Sequence, residues 1–130
     1  MADILKTVTN PLGTLIFKET AANATLIANV FAKVAANLIS IKLDNSANSS
    51  EAVYLKLYEN TNSDGQSITV GTTAPFFIMK APASSSVEMY IPQGMAFSSG
   101  NYTHLAVTTE KGIAGTTAPT GTVQVTLIGS

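Results

Sequence analysis

The chain of 130 residues contains no cysteine, no tryptophan and no arginine. Without cysteine it cannot form disulfides, thiolate nucleophiles or cysteine-based zinc sites. Without arginine it lacks the planar fork that binds phosphates and guanine edges in a bidentate manner. Its seven basic residues are lysines scattered along the sequence, and the formal net charge is −1. Nucleic-acid binding needs clustered cations, so we expect no nucleic-acid partner.

Charge is sparse along the chain. Charged residues make up 12 % of it, about half the share usual in soluble domains, whereas 45 % of its residues are hydrophobic. The polar surface must then consist mostly of serine, threonine and asparagine, which cost less to bury than ions do. This composition favours a subunit of an assembly. Neither a long apolar run nor a signal-peptide pattern is present, so we expect a soluble protein made in the cytoplasm without a membrane partner.

Residues 52–58 carry the clearest strand pattern. Side chains alternate between the two faces of an extended chain, and here one face is aliphatic while the other holds two tyrosines around a lysine. The tyrosine face offers a partner apolar area and hydroxyls rather than repelling charge. The set predicted to face the core is Val53, Leu55 and Leu57, and the outward set is Tyr54, Lys56 and Tyr58.

Short segments of this kind recur to the end of the chain. The stretch 21–38 fits both helical and alternating spacing, and we interpret it as two strands, 25–34 and 38–43, joined by a tight turn. Eight or nine short strands without a convincing helix predict an all-β fold, an antiparallel and jelly-roll-like β-sandwich. These eight or nine strands are expected among ten candidate segments, which are 14–18, 25–34, 38–43, 52–58, 67–70, 76–80, 87–91, 95–97, 102–108 and 122–128. The inward residues of the later strands are Val87, Met89, Ile91, Leu105, Val107, Val123, Val125 and Leu127.

The length fits one ordinary domain. We expect residues 1–24 to form an N-terminal arm or a first strand, and residues 25–130 to form a single β-sandwich domain. Whether the segment up to residue 33 is an arm or part of the sandwich stays open at the level of sequence.

Residues suited to catalysis are few. His104 is the only histidine, and general-base catalysis would need a nucleophile and an orienting group beside it. We therefore expect a surface or subunit-contact histidine. No serine lies in a Gly-x-Ser-x-Gly elbow, and the carboxylates are spread one to an element. These features predict a protein that is not an enzyme and has neither catalytic residues nor a cofactor.

One segment resembles a metal-binding motif. Residues 60–65 read Asn-x-Asn-x-Asp-Gly, like the first half of a calcium loop, but Gly71 stands where that loop carries its bidentate glutamate. A hairpin loop closed by Asp64 and Gly65 explains the pattern better, so we predict no metal site.

The pentapeptide Gly-Thr-Thr-Ala-Pro occurs twice, at 71–75 and at 115–119. It can mark two equivalent loops at one end of a sandwich. We favour the simpler interpretation that these are common turn residues, because no wider periodicity accompanies the match.

Four segments together resemble a family of small virion proteins of tailed bacteriophages. They are a Tyr-x-Lys-x-Tyr strand at 54–58, a Val-Gly-Thr-x-x-Pro turn at 70–75, an apolar-Pro-x-Gly-x-x-Phe-x-x-Gly segment at 91–100 and a closing Gly-x-Val-x-Val-x-Leu strand at 121–127. The resemblance covers roughly the C-terminal two thirds of the chain, and the order and spacing of the segments carry it.

The resemblance implies a β-sandwich subunit located in the virion, a capsid decoration or cement protein that stabilises the phage head by non-covalent contacts. The partners would be the major capsid protein or another virion protein, and further copies of the chain, with a homotrimer favoured. Candidate contact residues are Tyr54, Tyr58, Phe76 and Phe77, together with the N-terminal arm. One phenylalanine of the adjacent pair must face the core, and either tyrosine can instead pack beneath a loop of its own chain. The alternative function is a carbohydrate- or receptor-binding module of a head fibre or tail.

Overall fold

Alternating apolar and polar residues produce seven β-strands in the computed structural model, which describes residues 13–32 and 34–130. Within those residues there is no helix, and none therefore that could span a membrane. The strands are β1 (Leu15–Glu19), β2 (Asn37–Asp44), β3 (Val53–Asn60), β4 (Phe77–Ala81), β5 (Ser86–Ala96), β6 (Tyr102–Thr108) and β7 (Gln124–Gly129).

The strands form two antiparallel sheets. One has four strands in the order β1-β7-β2-β5, and the other has three in the order β4-β3-β6. Their inner faces pack together around one hydrophobic core. The predicted all-β sandwich is confirmed, with seven strands in the described part of the chain rather than eight or nine. Residues 15–19 belong to the sandwich, because β1 pairs with β7. Residues 1–12 of the predicted arm lie outside the described residues.

The core contains the residues that alternation predicted. Val53, Leu55 and Leu57 of β3 are fully buried, as are the inward residues of β6. The inward residues of β5 are half-buried and pack against the same cluster. The predicted inward sets confirmed in this way are Val53, Leu55, Leu57, Val87, Met89, Ile91, Leu105, Val107, Val123, Val125 and Leu127.

The predicted strand at 25–34 is wrong. Asn29 and Ala32 adopt left-handed backbone angles, with φ near 50° and 49°, and these angles interrupt an extended chain. The segment instead touches β6 through isolated bridges, of which one joins Ile27 to Leu105 by two main-chain hydrogen bonds of 2.8 and 2.9 Å. Because β6 is an edge strand, this irregular segment covers an edge that would otherwise be open to another chain.

Three other candidate strands differ from the structure. The candidate at 67–70 is a turn, in which Ser67 has a φ of 76°. The candidates at 87–91 and 95–97 form one strand, β5, with an irregularity opposite residues Leu38 to Ser40 of β2. Pro92 does not end β5, because β5 lies at the edge of its sheet, where a missing N–H group breaks no ladder.

Candidate functional site

The outer face of the three-stranded sheet carries the tyrosine and lysine side chains of β3. Tyr54 lies opposite Lys80 of β4, and Lys56 lies opposite Ile78. Residues directly opposite each other in an antiparallel pair share one face of the sheet. The register therefore places Ile78 and Lys80 beside the residues that the sequence pattern singled out.

A groove of about 280 Å³ lies on this face. It is lined by Tyr54, Ile78, Lys80 and Lys111. The first three come from β3 and β4, whereas Lys111 comes from the loop that follows β6. The groove thus combines an aromatic ring, an aliphatic side chain and two ammonium groups. We call these four residues the Tyr54 groove.

Lys56, the next outward residue of β3, is fully buried beneath that loop. Its Nζ atom donates hydrogen bonds to the main-chain carbonyl oxygens of Gly112 at 2.7 Å and Gly115 at 3.3 Å. Burial lowers the pKa of Lys56, and the nearby carboxylate of Glu110 acts in the opposite direction. Buried charges in proteins are normally compensated by hydrogen bonds or by an opposite charge, and Lys56 has both.

Glu110 organises the same loop from within. Its carboxylate accepts hydrogen bonds from the amide of Thr117, at 3.0 Å, and from the Thr117 hydroxyl. The hydrogen bond from the Thr117 hydroxyl contributes most to holding the pKa of Glu110 below its usual value, and the hydrogen bond from the Thr117 amide acts in the same direction. The main-chain amide of Thr109 also donates to the carbonyl of Thr117 at 3.0 Å. Thr109 and Glu110 are therefore tied to Thr117 at the two ends of the loop that carries Lys111, and Lys56 holds the middle of the loop at Gly112.

The charge around the groove is positive. Lys56 lies beneath the loop, and Lys80 and Lys111 are exposed on the rim, while Glu110 is engaged with Thr117. A cationic rim around Tyr54 and Ile78 suits a ligand surface that combines carboxylates with apolar groups. The four residues of the Tyr54 groove thus offer a ligand apolar contact together with positive charge.

His104 is fully buried within its own chain on the outer face of β6, so the expectation of a surface or subunit-contact histidine is wrong. Its Nδ1 atom accepts a hydrogen bond from the amide of Asn29 at 2.9 Å, and its Nε2 atom lies 2.9 Å from Oδ1 of Asn60. This arrangement requires the neutral tautomer with the proton on Nε2. Burial lowers the pKa of His104, although the Asn62 main chain and the Asp64 carboxylate partly oppose that shift. The imidazole joins three segments of the chain.

The structure separates the four candidate contact residues. Tyr54 is half-buried and lines the groove, whereas Tyr58 is fully buried within its own chain, one of the two alternatives open for it. Phe77 packs against the core. Phe76 is 39 % exposed and makes an edge-to-face contact with Phe97 at a ring-centroid distance of 5.0 Å. Tyr54 and Phe76 therefore retain accessible surface for a partner.

The calcium-like segment closes upon itself. Oδ1 of Asn60 accepts from the amide of Asn62 at 3.1 Å, and Nδ2 of Asn60 donates to the carbonyl of Gln66 at 2.6 Å. No cluster of three or more histidine, cysteine, aspartate or glutamate side chains suited to a metal occurs among residues 13–32 and 34–130. The segment serves as a loop whose asparagines are used in turn formation and in holding His104.

The two pentapeptide repeats lie side by side. A Cβ atom added at Gly71 would collide with the methyl group of Thr116 in the second copy. The copies differ in backbone conformation, because Gly71 has a φ of 98° and Gly115 is not left-handed. They are adjacent loops with different local structures.

No protein-family model, curated protein or solved structure matches this chain. The resemblance to phage virion proteins therefore stays a prediction that rests on the four sequence segments, and the groove is interpreted from its own chemistry.

Alternation in the sequence predicts the outward face for Tyr54 but does not indicate the other residues of the groove. Ile78 and Lys80 alternate with buried Met79, a signal that the sequence does contain, but only the strand register shows that they adjoin Tyr54. Lys56 holds the loop that carries Lys111 through hydrogen bonds to Gly112 and Gly115, a contact between distant segments that no local sequence pattern indicates. The burial of Lys56 depends on the same distant loop, so alternation alone predicts an outward position for Lys56 and does not indicate its burial.

Proposed function

We propose that this protein is a structural subunit of a tailed-phage particle, a capsid decoration protein that stabilises the head by non-covalent contact with the major capsid protein. The single observation that carries the proposal is the Tyr54 groove, an apolar and cationic contact surface on a β-sandwich. The four sequence segments that resemble virion proteins support the choice of a phage particle.

The groove suits a protein partner because its parts are fixed before binding. Strand pairing holds Tyr54 opposite Lys80, and Lys56 and Glu110 hold the loop that carries Lys111. A preformed site loses less conformational entropy on association than a flexible one. A partner that places an apolar side chain over Tyr54 and Ile78 and a carboxylate near each rim lysine would satisfy the site.

Stabilisation of the shell follows from mass action. A subunit that binds the assembled capsid but not its dissociated proteins lowers the free energy of the assembled state, in proportion to the logarithm of its concentration over its Kd. The Tyr54 groove supplies binding energy without a covalent step.

Carbohydrate binding is the alternative, and the groove supports it less well. Sugar rings stack on exposed aromatic planes, whereas Tyr54 is half-buried and is the only aromatic residue of the groove. A glycan array with competable binding to one sugar class would favour this alternative.

The test of the proposal uses capsids that lack the protein. Purified protein is added at increasing concentration, and its co-sedimentation with capsids and the temperature of capsid disruption are measured. We expect saturable binding at micromolar concentration and a higher disruption temperature. Absence of binding at those concentrations would contradict the proposal.

A further inference from the structure

The outer face of the four-stranded sheet, on the opposite side of the sandwich from the Tyr54 groove, carries two distinct rows of side chains. Strand register aligns Ile16, Ile128, Ser40 and Tyr90 across β1, β7, β2 and β5, and we call this set the apolar row. Register aligns Lys18, Thr126, Lys42 and Glu88 in the same strand order, and we call this set the charged row. The rows alternate with core-facing residues, so both point away from the core.

The apolar row leaves large side chains in solvent. Ile16 is 73 % exposed and Tyr90 is 57 % exposed, which makes them the two most exposed large hydrophobic residues of the described chain. They lie at opposite edges of one sheet, with Ile128 half-buried and Ser40 buried between them. Two exposed apolar side chains on one sheet face, with Ile128 beside Ile16, give that face a surface suited to contact with another protein.

We propose that this face binds a second copy of the same chain, face to face, about a two-fold axis parallel to the strands. Such an axis reverses the order of the strands, so that β1 of one copy lies over β5 of the other. Ile16 then meets Tyr90 of the second copy, and Lys18 meets Glu88 of the second copy. Two-fold symmetry generates each of these contacts twice.

Charge complementarity supports this occupant and this axis. The charged row carries its lysine and its glutamate at opposite ends, in strands β1 and β5, so reversal of strand order places opposite charges together. Lys42 then lies over Thr126, which is uncharged. An axis perpendicular to the strands and between the rows would instead place the charged row against the apolar row and would leave charges without partners.

This inference concerns a surface on the other side of the sandwich from the Tyr54 groove, and it does not rest on the proposed function. A two-fold pair also differs from the trimer expected from sequence. The number of copies in the purified assembly therefore distinguishes the two-fold dimer from the trimer.

The experiment is a charge swap in the full chain, read by sedimentation velocity and light scattering over a wide concentration range. Lys18 and Glu88 lie three strand spacings apart in one copy, roughly 14 Å, so they interact little within a chain. We expect a wild-type dimer, and we expect Lys18→Glu or Glu88→Lys to weaken its dissociation constant about tenfold because each change places like charges together twice. The double variant, Lys18→Glu with Glu88→Lys, should restore the wild-type constant.

Lys42→Gln is the control, because it alters a lysine of the same row that lies opposite Thr126 of the second copy and places no like charge beside Glu88, so it should not weaken the dimer. Urea unfolding of each variant checks that a lost dimer does not reflect a lost fold. A wild-type monomer, a trimer, or single variants without effect would overturn the proposal. A chain that dimerises only after removal of residues 2–11 would also overturn it, because its own N-terminal segment would then be the occupant of this face.

Discussion

The ammonium group of Lys56 donates a hydrogen bond of 2.7 Å to the main-chain carbonyl of Gly112, across 56 residues of sequence. This contact attaches the loop after β6 to the outer face of β3. The loop carries Lys111, so a buried lysine positions an exposed one. The local organisation of the Tyr54 groove depends on that contact.

Replacement Lys56→Met should lower the free energy of unfolding by about 1 to 3 kcal/mol, because two loop carbonyls lose their donor while the packed stem is retained. Urea unfolding measures the change. Lys42→Met, on an exposed position of the other sheet, is the matched control and should change stability by less than about 0.5 kcal/mol. Equal effects of the two substitutions would show that the loop does not depend on Lys56.

His104 should make stability depend on pH below its ordinary pKa of 6.5, because burial lowers that pKa in the folded chain. Between the folded and the unfolded pKa the unfolded chain binds a proton that the folded chain does not, so stability falls as pH falls through about 6.5. Urea unfolding between about pH 7 and about pH 5 measures this slope.

The matched variant is His104→Gln, which retains a side chain capable of hydrogen bonding and cannot titrate in this range. We expect it to be less stable than the wild type at neutral pH and to lose the slope. The carboxylates of Asp44, Glu51 and Glu110 have lowered pKa values and act only in more acidic solution. An unchanged slope in His104→Gln would assign the pH dependence to another group.

Tyr58→Phe should leave stability unchanged or raise it by up to about 1 kcal/mol, because the buried hydroxyl of Tyr58 has no hydrogen-bond partner among the described residues. Burial also raises the pKa of this phenol, which disfavours its charged form. Thermal unfolding of Tyr58→Phe beside Tyr54→Phe tests the prediction. A clear loss of stability in Tyr58→Phe alone would reveal a partner for the hydroxyl.

Gly71→Ala should destabilise the fold by about 1 to 2 kcal/mol, because a φ of 98° is unfavourable for a residue with a side chain and the methyl of Thr116 fills the space that the Cβ atom would need. Gly112→Ala is the control, since no atom lies within 4 Å of its added Cβ. Urea unfolding should separate the two. Similar values for both variants would mean that the adjacent repeat loops rearrange freely.

The sequence predicted the fold class and the core because strand alternation is a local signal. Val53 to Leu57 and Leu105 to Val107 show it without interruption, and all the inward residues there are buried. The segment at 25–34 alternates equally well but is not a strand, because Asn29 and Ala32 turn the chain along the edge of β6. Left-handed residues other than glycine leave little trace in a sequence.

The candidate site was predictable only in part. Tyr54 could be placed on an outward face from alternation alone. Its neighbours depend on which strand pairs with β3 and in which register, and the burial of Lys56 and His104 depends on loops distant in sequence. Those relationships are non-local, so no window of sequence contains them.

The affinity of the protein for capsids that lack it, compared between the wild type and the Lys80→Ala Lys111→Ala double variant, tests the central claim most directly. Lys42→Ala, on the opposite sheet, is the matched control. We expect the wild type and the control to bind alike, and the double variant to bind about tenfold more weakly and with less dependence on salt, because two rim charges are lost. Equal affinity and equal salt dependence for all three proteins would show that the Tyr54 groove is not the surface that contacts the capsid.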